Sequence, residues 1–198
     1  MRSPAAFYER FCMDIPQQKA ALRRELAAAA RSLTSGEKQA SDDAILRQVL
    51  RTPEYRRAGT VFLFVGHGDE IDTLPLLRQV LADGKRLCVP LCTAPGRMEC
   101  RAVRDLRDLR PGAYGILEPP ADAPAVSPAR IDLAIVPCVG ASREGFRLGH
   151  GGGYYDRFLA RYNGDTLLLC RQALLRSSIP HESHDIPIPA ILTEHGRV

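Results

Sequence analysis

The residues with the clearest chemical purpose in this 198-residue chain form one run, Arg147-Leu148-Gly149-His150-Gly151-Gly152-Gly153-Tyr154-Tyr155-Asp156-Arg157. Glycine loses more backbone entropy on folding than any other residue and brings no side chain to pack, so four glycines within five positions are kept for their backbone. Positive φ lets successive N–H groups converge on an anion. The segment then turns amphipathic through Tyr154, Tyr155, Phe158, Leu159 and Tyr162, which predicts a helix whose N-terminus faces whatever the loop holds. The chemistry suggested is phosphate binding. Arg147 and Arg157 would bracket the loop with charge-assisted donors, and Asp156 offers a hard oxygen ligand for a Mg²⁺ that accompanies phosphates. A flexible linker is the alternative for an isolated glycine cluster. The buried-strand pattern of Asp132-Leu133-Ala134-Ile135-Val136-Pro137 argues against it, because ligand loops of open α/β sheets lie beyond the carboxyl ends of such strands. The run is not a Walker A loop, which needs Gly-Lys-Ser/Thr, nor a dinucleotide fingerprint, because Tyr154 stands at its last glycine position.

Other candidates lie on elements that periodicity predicts. Leu22, Leu26, Ala29, Ala30 and Leu33 recur at helical spacing over Pro16–Leu33, with Lys19 and Arg23 four apart on one face, able to clamp a phosphate or simply to be solvated. Thr34-x-x-Glu37 is a capping-box signature that opens a second helix through Ile45, Leu46, Val49 and Leu50. The strand Thr60–Val65 ends in Gly66-His67-Gly68-Asp69-Glu70, a polar turn of the kind where binding sites gather, with Glu70 and His67 its reactive groups. A helix through Leu74, Leu77, Val80 and Leu81 stops at Asp83-Gly84 and leads into a strand from Arg86 to Leu91, implying a parallel pair with a right-handed crossover. Met98–Val103 and Thr166–Cys170 read as further strands, and residues 111–128 as an extended Pro- and Ala-rich connection. Arg101, Arg104, Arg107 and Arg110, interleaved with Asp105 and Asp108, read as a self-paired solvated surface. Residues 1–15 are expected to be an irregular, frayed arm, and no repeat interrupts a single domain over 1–198.

Composition narrows the classes. The net charge of +4 sits in the N-terminal part: residues 1–57 hold 11 Lys/Arg against 7 Asp/Glu, whereas 58–198 hold 16 of each. That excess suits a small polyanion, and without an aromatic-basic stripe or a reading motif it does not point to nucleic acid. The six cysteines, Cys12, Cys88, Cys92, Cys100, Cys138 and Cys170, are expected to be reduced and in several cases small buried hydrophobes. Cys88-x3-Cys92-x7-Cys100 lacks the second pair that a structural zinc site needs. No apolar run reaches the length of a membrane span, so a cytoplasmic protein is expected, and a monomer.

Taken together, Val136-Pro137 and Gly145-Phe146-Arg147 through Arg157 closely resemble the signature of the 5-formyltetrahydrofolate cyclo-ligase family, also called methenyltetrahydrofolate synthetases. Lys19-x-x-Leu22-Arg23, Asp69-Glu70-Ile71-Asp72-Thr73 and His184-Asp185 match in the same order, so the resemblance spans about residues 17–195. It implies closure of 5-formyltetrahydrofolate to 5,10-methenyltetrahydrofolate with ATP as co-substrate and Mg²⁺ as cofactor, through a phosphorylated formyl group. Carried over by position, Lys19, Arg23 and Arg147 through Tyr155 would bind ATP, with Arg147 and Arg23 also catalytic. Val65, Glu70 and His150 to Tyr154 would bind the reduced folate, and Asp156 and Asp185 would hold Mg²⁺. Ala141-Ser142 stand where many members carry Phe-Asp, which leaves two other readings open: a paralogue that phosphorylates another formyl or amide substrate, and a non-catalytic nucleotide- or folate-binding regulator. The implied fold is α/β, a three-layer, mainly parallel, Rossmann-like sheet flanked by helices, with the N-terminal helices closing over one end. Arg147→Ala is expected to abolish turnover with little loss of fold.

Overall fold

The first described helix starts where one side chain lets it. Asp14 accepts a hydrogen bond from the Gln17 N–H at 2.8 Å, and Pro16 sits in the first turn, where a missing N–H costs nothing, so α1 runs Ile15–Ser32. The computed structural model describes residues 14–112 and 115–198. The arm expected over 1–15 lies outside the described residues except for Asp14 and Ile15, which cap and begin α1. The expected capping box forms: the Glu37 N–H donates to Thr34 Oγ1 at 3.2 Å and the Thr34 N–H donates to Glu37 Oε2 at 2.8 Å, opening α2 (Ser35–Arg51). A short α3 (Pro53–Arg57) leads to β1 (Thr60–Leu63), and α4 (Leu74–Ala82) carries the crossover to β2 (Arg86–Ala94). β1 and β2 pair in parallel as expected, with Val61 opposite Leu87.

From β2 the chain reverses at Pro95-Gly96 into β3 (Arg97–Val103), so the strand expected over Met98–Val103 forms, as the second half of an antiparallel hairpin. The connection that follows holds three two-residue strands, β4 (Arg110–Pro111), β5 (Leu117–Glu118) and β6 (Ala125–Val126). Within the charged stretch before it, Arg107 pairs with Asp105 on the surface, as expected. Then come β7 (Leu133–Val136), β8 (Gly140–Ser142), β9 (Arg147–Leu148), α5 (Tyr154–Leu159), β10 (Asp165–Leu169), β11 (Leu175–Arg176), β12 (Ile191–Thr193) and β13 (Gly196–Arg197).

The main sheet has eight strands in the order β13-β12-β10-β7-β1-β2-β3-β6. The run from β12 to β2 is parallel and the edges are antiparallel. Alternate residues of each buried strand feed opposite cores. Val61 and Leu63 meet Ile45 and Val49 of α2 and Leu77 and Val80 of α4, whereas Phe62 meets Leu22 and Leu26 of α1 and Phe158 of α5. The result is the expected three-layer α/β architecture. The N-terminal helices differ from expectation: instead of closing over one end, α1 and α2 cover opposite faces. A parallel sheet is apolar on both faces, and each face requires its own helical layer.

The cysteines follow this packing. All five described ones, Cys88, Cys92, Cys100, Cys138 and Cys170, are free. Burial pushes the Cys88 and Cys100 thiols up to about 12 and that of Cys92 to about 11, so they serve as small apolar groups. Cys12 lies outside the described residues.

Candidate active site

Strands β1, β7 and β10 end side by side in the middle of the sheet, and the strand order reverses about β1 and β7. In open α/β sheets ligands bind beyond such carboxyl ends. Here β1 leads to Glu70, β7 to Cys138 and β10 to Arg171, and these residues line a cavity of ≈ 20 Å³ with Phe64, Ile71 and Cys170. The glycine motif contacts Glu70 through the exposed His150, whose Nε2 lies 3.2 Å from Glu70 Oε1. The hydrogen bond to Glu70 raises the His150 pKa, outweighing burial, which acts the other way. The second Glu70 oxygen accepts the His67 N–H at 3.1 Å. The His67 ring is exposed and lies beside Gly115, so this residue meets Glu70 through its backbone. The Val65 side chain is 3% exposed and packs in the core shared with α2 and α4.

Between β7 and the glycine motif the chain inserts a hairpin that the strand pattern did not announce. β8 pairs antiparallel with β9 and parallel with β11, forming a separate three-stranded sheet that sets the level of the loop. Ala141 and Ser142, at the Phe-Asp position, are fully buried in β8. Leu148 is buried in the core beside α1, so it faces the loop only through its backbone. In the loop itself Gly151 has φ +97° and Gly153 φ +63°, left-handed conformations that side chains rarely adopt. Arginines hold the loop carbonyls. Arg23 Nε on α1 donates to Gly149 O at 2.7 Å, and Arg157 donates to both Gly152 O and Gly96 O. The expected helix after the loop is a single six-residue segment, α5, with Gly153 as its N-cap. The Tyr154 ring lies over Gly152 and borders a larger cavity of ≈ 490 Å³ with Gly96, Arg97, Met98, Arg157 and Arg161. Tyr155 packs between the two cores, and burial drives its hydroxyl pKa well above the ordinary value.

The remaining charged candidates come together as ion pairs. Arg147 is only 5% exposed: Nη2 donates to Asp156 Oδ1 at 2.7 Å and Nη1 to the Ile186 carbonyl at 2.8 Å. Lys19 Nζ donates to Asp185 Oδ2 at 2.6 Å and to Glu182 Oε2 at 3.1 Å. Burial alone would lower the Lys19 pKa, but the two carboxylates outweigh it and raise it. Burial likewise opposes ionisation of Asp185, and the hydrogen bonds from Lys19 and the Glu182 N–H overcome it, leaving its pKa lowered. The C-terminal segment is pinned further by a stacked ring pair, Phe146 on His181, with centroids 3.6 Å apart.

These residues fit a magnesium site. Arg147 reaches from the Asp156 carboxylate to the backbone carbonyl of Ile186, next in sequence to Asp185, whose own carboxylate is held by Lys19. Among the described residues, ligand atoms of Glu182, His184 and Asp185 also lie within 4.8 Å of one another. Hard oxygen donors from one or two carboxylates, with coordination left for water and phosphate, are what Mg²⁺ takes. Glu182 was not singled out from sequence; its signal was the polar run His181-Glu182-Ser183-His184-Asp185, too hydrophilic for a core.

Comparison with known proteins gives the family and the fold. Residues 15–194 match the 5-formyltetrahydrofolate cyclo-ligase family. The chain is 31% identical over 169 residues to the 5-formyltetrahydrofolate cyclo-ligase of Escherichia coli (strain K12), an alignment covering 82% of this chain and 93% of the relative. The solved 5,10-methenyltetrahydrofolate synthetase of Aquifex aeolicus superimposes with a TM-score of 0.81 at 29% identity, covering 90% of this chain and 91% of that one. The corresponding Mycoplasma pneumoniae protein shares the fold, with a TM-score of 0.73 at 18% identity over 89% and 98% of the two chains. The match runs from the first described helix to the last strands of the sheet and takes in the glycine motif, and the chain belongs to the 5-formyltetrahydrofolate cyclo-ligase family of enzymes.

Proposed function

We propose that the chain closes 5-formyltetrahydrofolate to 5,10-methenyltetrahydrofolate, consuming MgATP and releasing ADP and phosphate. The observation that carries this reading is the pairing of Lys19 with Asp185 at 2.6 Å and of Arg147 with Asp156 at 2.7 Å. Each pair joins a cation suited to phosphate with a carboxylate suited to metal. When the co-substrate enters, each cation can exchange its carboxylate for phosphate oxygens, and each carboxylate its cation for Mg²⁺. No charge is then left buried and alone, which is the costly outcome in such a site. Bound there, Mg²⁺ would neutralise charge on the transferring phosphoryl group and orient it.

The formyl oxygen, a poor leaving group as it stands, attacks the γ-phosphorus of ATP and the bond to ADP breaks. N10 then attacks the activated carbon, its proton is lost, and the carbon–oxygen bond breaks to release phosphate and leave the five-membered amidinium ring. The chain's part is positioning and charge compensation. Lys19, Arg23 and Arg147 balance the phosphates, while the Gly149–Gly153 loop follows the nucleotide with its backbone. Glu70 accepts hydrogen bonds from the pterin N–H groups, and His150 and Tyr154 hold the formyl end. The free thiols of the five described cysteines suit a reducing cytoplasm.

The test is an absorbance assay for methenyl product with and without MgATP, run beside phosphate release. One phosphate per methenyl formed is expected. ATP-dependent phosphate release that ignores 5-formyltetrahydrofolate would point instead to a paralogue with another formyl or amide substrate. Neither product nor phosphate would mark a non-catalytic binder.

A further inference from the structure

Arg171 stands directly after β10, is 2% exposed, and has no part in the chemistry above. Its guanidinium is divided between two tasks. Nε and Nη2 donate to Oδ1 and Oδ2 of Asp42 on α2, at 3.0 and 2.9 Å. Nη1 donates to the Asp69 carbonyl at 2.6 Å and Nη2 to the Glu70 carbonyl at 3.0 Å. Asp42 Oδ2 in turn accepts the Asp72 N–H at 3.0 Å. One buried pair therefore holds the turn from residue 69 to 72 through two carbonyls and an amide.

Stability alone is a weak reason for such a pair. Replacing a buried salt bridge with apolar side chains of similar volume is often neutral or stabilising, so what the charges supply here is orientation. What they orient is the backbone stem of Glu70, whose carboxylate is hydrogen-bonded to His150. Loss of the fork would let that carboxylate shift while the glycine loop, held by Arg23 and Arg157, stays in place. We propose that Arg171 and Asp42 form a buried clasp that positions Glu70, setting affinity for the reduced folate without affecting affinity for ATP. Arg171 and Asp42 are thus positioning residues, and the inference rests on the reading of Glu70 as the pterin-binding carboxylate.

The decisive variant is the double replacement Arg171→Met with Asp42→Leu, which removes both charges together, compared with Arg171→Lys, which keeps one donor and loses the fork. The double variant should raise KM for 5-formyltetrahydrofolate tenfold or more, with KM for ATP changing less than twofold. Arg171→Lys should show a smaller rise of the same kind, and it supplies the split if the double variant does not fold. Unchanged KM values, or an equal rise in both, would overturn the clasp. An NMR titration of His150 gives a readout that needs no turnover. In the variants its midpoint should move down toward the ordinary histidine value as Glu70 moves away, and a midpoint that stays put would count against the inference. Inactive wild-type protein would sink the proposed function, whereas the titration would still decide whether the clasp sets Glu70.

Discussion

Replacing Arg147 tests the charge-pair site most directly. Sequence reasoning expected Arg147→Ala to spare the fold, but the guanidinium is 5% exposed and joins Asp156 to the Ile186 carbonyl. Removing one partner of a buried ion pair costs about 3–5 kcal/mol. Asp156 is 28% exposed, so water recovers part of its solvation and the expected cost falls to about 2–3 kcal/mol. For a chain of this size each kcal/mol lowers Tm by about 2–4 °C, giving a drop of about 4–12 °C. At a temperature where the variant remains folded, losing a charge-assisted donor to the transferring group should lower kcat by about 10²–10³. Arg147→Lys keeps the charge without the two-pronged reach, so it should recover part of kcat and little of Tm. Thermal unfolding followed by circular dichroism, with the methenyl absorbance assay in parallel, measures both. An Arg147→Ala protein with unaltered Tm, kcat and KM for ATP would refute the reasoning at its root.

Four further perturbations follow from the same geometry. Glu70→Gln should lower the His150 titration midpoint measured by NMR; in the wild type the pair's contribution is fully present below about pH 6.5 and fades as pH rises through the raised His150 pKa. Lys19→Met should raise KM for ATP about tenfold, the loss of one charge-assisted contact. It should also flatten the acid side of a Tm-against-pH profile, because the contribution of Asp185, present above about pH 4 in the wild type, is lost as pH falls through its lowered pKa. Thr34→Ala removes the capping box and should cost about 1 kcal/mol, or about 2–4 °C in Tm, with steady-state kinetics untouched. Gly153→Ala forces a side chain into φ +63° at about 1–2 kcal/mol and brings its Cβ to 3.0 Å from Arg157, so KM for ATP should rise more than KM for the folate.

What sequence alone disclosed follows from how local each signal is. The capping box at Thr34 and Glu37, the β1–α4–β2 unit and the glycine loop all announce themselves within a few residues, and the structure has them where expected. The β2–β3 hairpin was legible in Pro95-Gly96 between two strand-like runs, a turn signal that went unused. β8 and β9, at three and two residues, are too short to carry a period, so the sheet that sets the level of the glycine loop was invisible. The Arg171–Asp42 pair spans 129 positions, and nothing in the composition around either residue marks it as buried. The type of each catalytic candidate was readable, but its partner was not: Lys19 and Arg147 looked like free cations and are instead paired with the two expected metal carboxylates.

The bond between Lys19 and Asp185 ties the first described helix to a segment 166 positions later, and the Gly145 carbonyl accepts a backbone hydrogen bond from the Ile188 N–H. Synthesis proceeds from the amino end, so β1 through β10 are made before the segment that carries these partners. Until the segment around residues 182–188 emerges, Lys19 lacks the Glu182 and Asp185 carboxylates and the Gly145 carbonyl lacks the Ile188 N–H. On the proposed reading of the site, its charge pairs are complete only once this segment has docked. A product cut short before that segment would also lack β12, whose Ile191 and Leu192 are buried on opposite faces of the sheet, so it would lose core packing together with the partners of Lys19.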